Sequence, residues 1–273
     1  MTMEKLQRGE RIAALLSILC ESPGKVFTLG DFAEMSGSAK SSMSEDIDII
    51  RSALERFGMG TIETISGAAG GVRYIPLLSA ARVGVDINKL CAELSKKERI
   101  LPGGYLYMLD AIYDPEIVTE MGKIFAMRFS GLDIDYVITV ETKGIPLAFT
   151  TARYLSVPLA IARHHTEAAD GASVNINYVS GSSRAMQTMV LPMRSLKRNS
   201  RLLFIDDFMK GGGTAKGILD LAREFECEVV GTGVLIQTRE PAKKLVDGYY
   251  SVLTLNGVNE EEKIIDIVPT ALY

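Results

Sequence analysis

Two acidic residues and a run of three glycines lie close together in the segment LLFIDDFMKGGGTAKG, residues 202–217. An apolar run ends there and a helical pattern begins. The residues between the apolar run and the helical pattern are Asp206, Asp207, Phe208, Met209, Lys210, Gly211, Gly212, Gly213 and Thr214. Backbone N–H groups of a glycine-rich turn at a helix N-terminus bind phosphate oxygens, and glycine lets the backbone approach closely. Carboxylates accept hydrogen bonds from hydroxyl groups. The pattern therefore favours a sugar phosphate, with hydroxyls for the acids and a phosphate for the loop.

A second polar loop, ETKG at residues 141–144, follows the apolar run YVITV. Ligands of open α/β sheets bind beyond the carboxyl ends of the strands, so we expect Thr142, Lys143 and Gly144 near the acid pair. The spacing of the glycine loop excludes a Walker A loop, which needs Lys and Ser or Thr after its second glycine. Thr214 is predicted to add a hydroxyl to the loop and to cap the following helix.

The segment from residue 77 to residue 273 alternates strand and helix patterns, which predicts an α/β domain with a mainly parallel sheet flanked by helices. Predicted strands are YVITV (136–140), PLAIA (158–162), LLFID (202–206) and VVGTGVLIQ (229–237). Predicted helices include GIPLAFTTARYLSV, TAKGILDLAREF and the segment that carries Ile117, Met121, Ile124 and Phe125 on one face. SVNINYV and MQTMVLP, separated by GSSR, read as a long hairpin.

These motifs resemble those of the type I phosphoribosyltransferases over most of residues 130–240. FIDDFMKGGGT is similar to their phosphoribosyl pyrophosphate (PRPP) motif, and ETKG is similar to their pyrophosphate loop. The resemblance implies that Thr142 to Gly144 meet the pyrophosphate, often across a cis peptide, and that Lys143 supplies charge. The hairpin NYVSGSSRAMQTMVL is similar to the flexible loop that covers the site, where Arg184 could reach the pyrophosphate.

A transferase must also hold a nucleobase, and no segment of the sequence identifies a base-binding hood. Tyr105, which follows two glycines, and Phe208 could stack on a ring, and either could equally belong to the core. His164 and His165 are the two histidines. The sequence shows no further cluster of metal ligands near them, so we expect them to be loop residues near the mouth of the site and not metal ligands.

Residues 1–76 form a separate predicted domain of three helices and a hairpin. Its third helix carries Met43, Ile47, Ile50, Leu54 and Phe57 along one stripe. Thr28 and Asp31 predict a capped second helix, and Gly37 ends it. TIETIS and VRYIP, joined by GAAGG, predict the hairpin. This order is typical of a winged helix-turn-helix.

A winged helix-turn-helix contacts DNA through the first turn of its third helix and through its wing. Lys40, Ser41, Ser42, Ser44, Arg51 and Arg73 are the candidate DNA-binding residues. Residues 1–75 nevertheless hold eight Lys and Arg against ten Asp and Glu, so the cations must be concentrated on one face to bind phosphates. A small helical domain that binds another protein is the alternative.

The bulk composition is that of a soluble cytoplasmic protein. Hydrophobic residues make up 47% and charged residues 23% of the chain, the net charge is −4, and no apolar run has the length of a membrane helix. Cys20, Cys91 and Cys227 are widely spaced, which indicates free thiols in a reducing compartment and no zinc site.

The two parts in this order resemble the purine operon repressor family of Gram-positive bacteria, through MSEDIDIIRSALERFGMG, LPGGYLYMLD, TVETKGIPLA and NYVSGSSRAMQTMVL. The resemblance implies a homodimeric repressor of purine synthesis genes that binds double-stranded DNA of the purine operon control region and releases it when PRPP binds, with or without Mg²⁺, and without transferase activity. A polyphosphorylated guanosine nucleotide could compete with PRPP. An active purine phosphoribosyltransferase with an accessory domain and an RNA-binding regulator are the alternatives.

Overall fold

A computed structural model of the 273-residue chain describes residues 6–67, 70–167, 170–179 and 185–270. The chain divides into two compact units, Met1–Ala80 with Arg153–Ser156, and Ala81–Ala152 with Val157–Tyr273. Arg184 and the predicted hairpin tip around it lie outside the described residues. Across the described ranges, no helix combines the length and the apolar character needed to cross a membrane.

The first unit has the predicted winged-helix order. Its elements are α1 (Arg8–Glu21), α2 (Leu29–Ser36), α3 (Lys40–Arg56), β1 (Thr61–Ile65) and β2 (Gly71–Ile75). The Thr28 hydroxyl accepts a hydrogen bond from Asp31 N, and the Asp31 carboxylate accepts one from Thr28 N, both at 3.0 Å. This capping box fixes the start of α2, and Gly37 ends the helix with a positive φ of 62°.

The core of the first unit confirms the predicted stripe of α3 except at its end. Met43, Ile47, Ile50 and Leu54 are buried together with Phe32 of α2. Phe57, which we expected on the same stripe, is 74% exposed. Phe57 is the cap residue after Arg56, and its N–H still donates to the Ala53 carbonyl at 3.1 Å. The chain turns at Gly58 directly after it, and the buried stripe ends one turn earlier, at Leu54.

The second unit contains the predicted mainly parallel sheet. Its helices are α4 (Ala80–Leu94), a 3₁₀ turn (Lys97–Arg99), α5 (Leu109–Ile112), α6 (Pro115–Phe129), α7 (Ile145–Leu155) and α8 (Gly213–Glu224). Its strands are β3 (Ile100–Leu101), β4 (Tyr105–Leu106), β5 (Tyr136–Val140), β6 (Leu159–Ala162), β7 (Ser173–Val179), β8 (Met186–Pro192), β9 (Arg201–Met209), β10 (Glu228–Thr238), β11 (Tyr250–Asn259) and β12 (Ile264–Pro269).

Six of these strands form one sheet in the order β12-β11-β10-β9-β5-β6. All neighbours are parallel except β11 and β12, an antiparallel pair at one edge that the sequence patterns did not identify. Strand β9 is central and fully apolar from Leu202 to Ile205, as expected for a strand covered on both faces. Its carboxyl end therefore delivers the acid pair to the middle of one sheet edge.

Candidate functional site

The acid pair lies in the carboxyl-terminal half of β9, beyond the last residue of β9 that pairs with β5, Phe204. Asp206 is 8% exposed, and its Oδ1 accepts a hydrogen bond of 2.9 Å from Asp207 N. Burial raises the pKa of the Asp206 carboxyl well above its usual range, and the neighbouring Asp207 charge adds to the shift. Burial also raises the pKa of Asp207, while the positive charge of Lys143 opposes that shift. Hydroxyl donors or cations that a ligand brings would stabilise the charged form of these two carboxyls.

The glycine loop connects β9 to α8 and places backbone N–H groups beside the acids. Gly212 occupies the cap position with a φ of 80°, a conformation that favours glycine, and α8 begins at Gly213. Gly212 has no side chain with which to cap the helix. The expectation that Thr214 caps the helix is therefore wrong, because Thr214 lies inside the first turn. Because Gly212 supplies no capping side chain, the first N–H groups of the helix can bind an anion.

The second loop lies between β5 and α7, and the peptide bond between Glu141 and Thr142 is cis. A Cβ on Gly144 would lie 2.7 Å from both Asp206 Oδ1 and Thr139 Oγ1, so glycine is required for this loop to pack against β9. Thr142 and Lys143 are exposed, whereas Gly144 is buried. The structure thus brings the two loops together, as expected from the order of the strands.

A cavity of about 890 Å³ joins these features, within the usual size range of small-molecule sites. Its lining includes the following predicted residues: Tyr105, Thr142, Lys143, Asp206, Asp207, Phe208, Met209, Lys210, Gly211, Gly212, Gly213 and Thr214. Gly144 does not line the cavity and instead supports the second loop from behind. His164 reaches the lining, while its neighbour His165 does not.

The cavity also has a roof, of which the sequence patterns identified only Tyr105. Its residues come from the short hairpin β3–β4, which contributes Gly103 to Leu106, and from β11, which contributes Leu255 to Val258. Tyr105 is 69% exposed on this hairpin. Gly103 and Gly104 both have positive φ, and this glycine pair was the one available sequence signal for the turn.

Arg99 fastens the roof hairpin to its surroundings. Its guanidinium donates to the carboxylate of Asp110 at 2.6 and 2.9 Å, to the carboxylate and carbonyl of Glu93, and to the carbonyl of Tyr107. Arg99 is buried, and the Asp110 partner raises its pKa further. One side chain therefore links the end of α4, the hairpin and the start of α5.

The hairpin β7–β8 packs against the first turns of α8, at the other side of the cavity. Tyr178 is buried, its hydroxyl donates to Gln187 Oε1 at 2.8 Å, and burial raises its pKa. A Cβ on Gly217 of α8 would lie 3.1 Å from the Tyr178 ring, so the helix approaches the hairpin closely. His164 N donates to Glu141 Oε1, and His164 Nδ1 lies 3.2 Å from the Thr188 carbonyl.

The candidate DNA-binding residues of the first unit fall into two groups. Lys40, Ser41 and Ser44 are exposed in the first turns of α3, and Ser42 is half-buried. Arg51 instead donates to the Ile62 carbonyl at 2.8 Å, to Thr64 Oγ1 at 3.0 Å and to the Asp48 carboxylate. Arg73 pairs with Glu63 at 2.7 Å. Arg51 therefore links α3 to the wing, and Arg73 forms a partly exposed ion pair between the two strands of the wing.

Fold and cavity together define a class of protein, a winged-helix unit joined to a unit with the type I phosphoribosyltransferase fold. Residues 7–76 match the family described as bacterial purine repressor, N-terminal, and residues 108–269 match the phosphoribosyl transferase domain. The adenine phosphoribosyltransferase structure from Rhodothermus marinus aligns with a TM-score of 0.54 at 18% identity, over 63% of this chain and 99% of that one. This last likeness establishes the fold alone.

Two full-length relatives narrow the class to a family. The purine biosynthesis transcriptional repressor PurR of Bacillus subtilis is 46% identical over 263 residues, which cover 96% of this chain and 92% of that protein. The purine biosynthesis transcriptional activator PurR of Lactococcus lactis is 36% identical over 263 residues, covering 96% and 97%. The chain belongs to the PurR family of purine biosynthesis regulators.

Proposed function

We propose that the protein is a cytoplasmic repressor of purine biosynthesis genes that binds DNA through residues 1–76 and PRPP through residues 77–273. The observation that carries the proposal is the cavity in which an acid pair, a glycine loop and a basic loop converge, in a chain that also contains a winged helix. In this proposal the phosphoribosyltransferase fold serves as a sensor, and PRPP relieves DNA binding.

The geometry supports a ribose bearing phosphates at both ends. The N–H groups from Gly211 to Thr214 suit the 5′-phosphate, and Asp206 and Asp207 suit the ribose hydroxyls. Lys143 suits the pyrophosphate at the opposite side of the acid pair. The described residues hold no cluster of three or more His, Cys, Asp or Glu for a metal. The two carboxylates fit Mg²⁺ only together with ligand oxygens, where the ion would neutralise pyrophosphate charge.

DNA binding is proposed for the exposed first turns of α3. Lys40, Ser41 and Ser44 offer a cation and small donors there, and Ser42 adds a half-buried hydroxyl. Arg51 and Arg73 support the wing, and their contact with DNA phosphate would require them to share or leave their present partners. A homodimer would present two such helices to two half-sites of the control region.

Linkage between the sites follows from thermodynamics. If PRPP binds better to the state that binds DNA poorly, then PRPP and DNA weaken each other by the same factor. The printed names of the relatives include both a repressor and an activator, so the sign of regulation at each promoter is a separate property from this linkage.

A polyphosphorylated guanosine nucleotide is a proposed competitor for the same cavity. Tyr105 of the roof hairpin and Phe208 at the end of β9 both line it, and both are accessible to a purine ring. Replacing both residues by alanine should lower the affinity for the guanosine nucleotide. The affinity for PRPP, which has no base, should stay close to that of the wild type. Equal loss for both ligands would contradict the stacking role.

The decisive experiment is fluorescence anisotropy of a labelled duplex from the organism's own purine operon control region, at fixed salt, with and without PRPP. We expect tight binding that PRPP weakens. Tight binding that ignores PRPP would overturn the sensor role. Failure to bind duplex, together with nucleotide formation from PRPP, Mg²⁺ and a purine base, would identify an enzyme, and preference for the transcript would identify an RNA-binding regulator.

A further inference from the structure

A buried lysine lies directly behind the glycine loop, in the segment between β10 and β11. Lys244 is 8% exposed, although lysine is rarely buried without a charged partner. Its Nζ donates to the Lys210 carbonyl at 2.6 Å and to the Thr238 carbonyl at 2.7 Å, and lies 3.3 Å from Thr238 Oγ1. All three acceptors are neutral oxygens, so they satisfy the donors of the ammonium without neutralising its charge.

This segment fixes the direction of two peptide groups of the loop, one through the Lys244 side chain and one through Leu245 N. The carbonyl and the following N–H of a trans peptide point in opposite directions. The Lys210 carbonyl points to Lys244, so Gly211 N–H points away from it. The Gly211 carbonyl accepts a hydrogen bond of 3.0 Å from Leu245 N, so Gly212 N–H also points away from this segment.

The segment and the loop are in close contact, which leaves little freedom for either. A Cβ on Gly212 would lie 3.1 Å from Leu245 N and 3.6 Å from Lys244 Cβ. Burial lowers the pKa of Lys244, and the nearby Glu240 opposes that shift. The burial of an ammonium against neutral oxygens costs free energy, and a phosphate bound on the other side of the loop would offset part of that cost.

We propose that Lys244 is a positioning residue of the anion site, which orients the Lys210–Gly211 peptide so that Gly211 N–H faces the cavity, and which supplies a positive charge behind the loop. This inference rests on the proposed function, in which the loop binds the 5′-phosphate of PRPP. Lys244 contacts the loop backbone and is not among the lining residues of the cavity, so its effect would be exerted through peptide orientation and charge.

The test measures ribose 5-phosphate binding to the full-length protein by titration calorimetry, because this probe carries the phosphate and the hydroxyls without the pyrophosphate. Lys244→Met keeps the length of the side chain but removes the charge and the donors, and we expect affinity to fall about tenfold or more. Lys243→Met removes the same charge from the adjacent exposed position and should bind as the wild type does. Thermal unfolding without ligand checks that each variant is folded.

Two further variants separate charge from shape. Lys244→Gln keeps N–H donors without the charge, and we expect its affinity for ribose 5-phosphate to stay low. Lys244→Arg keeps both the donors and the charge, and we expect it to recover most of the affinity. These two also serve if Lys244→Met does not fold. Wild-type affinity in Lys244→Met or Lys244→Gln would overturn the inference and leave the proposed function intact. A wild-type protein that binds PRPP but not ribose 5-phosphate would overturn the inference alone, and one that binds neither would overturn both.

Discussion

The two units hold their charged residues in opposite ways. In the winged-helix unit, Arg11 pairs with the buried carboxylate of Asp46, Arg51 pairs with Asp48, and Arg73 pairs with Glu63. In the effector unit, the buried acids at the end of β9 lie beside each other, and the buried ammonium of Lys244 faces neutral oxygens. The buried carboxylate of the first unit thus has an arginine partner, and the buried Arg99 of the cavity roof has a carboxylate partner. Among the described residues, Asp206 and Lys244 beside the cavity have no hydrogen-bond partner of opposite charge.

This difference indicates where each unit meets its ligand. The winged-helix unit uses most of its arginines to hold its own helices and wing, which leaves the first turns of α3 as the proposed surface for DNA. The effector unit keeps charges of both signs next to a cavity, at a cost in stability that a ligand with hydroxyls and phosphates would offset. Sites with such uncompensated charge are a usual source of the conflict between stability and function.

The largest expected effect is in the winged-helix unit. Asp46 is fully buried, so Asp46→Asn would leave the Arg11 guanidinium buried without its counter-charge. We expect a loss of about 3 kcal/mol in the stability of this unit, measured as faster amide hydrogen exchange in α1 and α3. Glu45→Gln removes an exposed acid from the same helix and is the control. Equal exchange in the two variants would show that the ion pair does not hold these helices together.

The second effect is confined to the effector cavity. Gly144→Ala would place a Cβ 2.7 Å from Asp206 Oδ1 and Thr139 Oγ1, so the second loop must move. We expect PRPP affinity to fall roughly 10- to 100-fold while DNA binding stays close to that of the wild type, measured by calorimetry and anisotropy. Gly131→Ala, which meets no atom within 4 Å, is the matched control. Unchanged PRPP affinity in Gly144→Ala would place the ligand elsewhere.

The third prediction concerns pH. The native pKa values of Asp206 and Asp207 are raised, so the native state binds more protons than the unfolded chain between the ordinary carboxyl pKa and the raised values. The free energy of unfolding should therefore fall as the pH rises through this interval. Replacing both acids by asparagine should remove the slope, raise stability at neutral pH, and abolish PRPP binding.

Urea unfolding of the effector unit across this interval measures the effect. Asp133→Asn, which changes an acid that is 87% exposed, should retain the wild-type slope. Parallel pH profiles for the wild type and the double variant would mean that the acid pair is compensated by groups other than the ligand.

The smallest effect is expected at the wing. Glu63→Gln removes the partner of Arg73, and both side chains are more than one third exposed, so the pair contributes little to stability. If the freed Arg73 contacts a DNA phosphate, affinity should rise by about threefold or less, with a steeper dependence on salt. Anisotropy at two salt concentrations measures both, with Glu34→Gln as the control for net charge. Weaker binding would indicate that the pair holds the wing in its DNA-binding shape.

The parts that sequence patterns predicted well share a local cause. The Thr28 capping box, the stripe of α3 and the buried strand β5 all express periodicities or cap chemistry within a few residues. The glycine loop and the acid pair were readable for the same reason, because both lie within nine consecutive residues. The prediction that Phe57 is buried was wrong because the helical spacing continues to the end of α3, whereas the buried stripe ends at Leu54.

Apart from Tyr105, the roof of the cavity could not be predicted from the sequence, because its parts are distant in the chain. Gly103 to Leu106 and Leu255 to Val258 meet only after β11 has been added to the sheet beside β10. No periodicity within either segment records that contact. The contact of Lys244 with the Lys210 carbonyl spans 34 residues and is hidden in the same way.

The sequence by itself determined the order of two units, the alternation that builds a parallel sheet, and the short segments whose residue types suit a sugar phosphate. These properties depend on neighbours along the chain. The tertiary structure alone decided which cations are used to hold the wing, which glycine supports the second loop from behind, and which lysine stands behind the anion loop. Those properties depend on burial and on the direction of individual peptide groups, and both are set only when distant segments pack together.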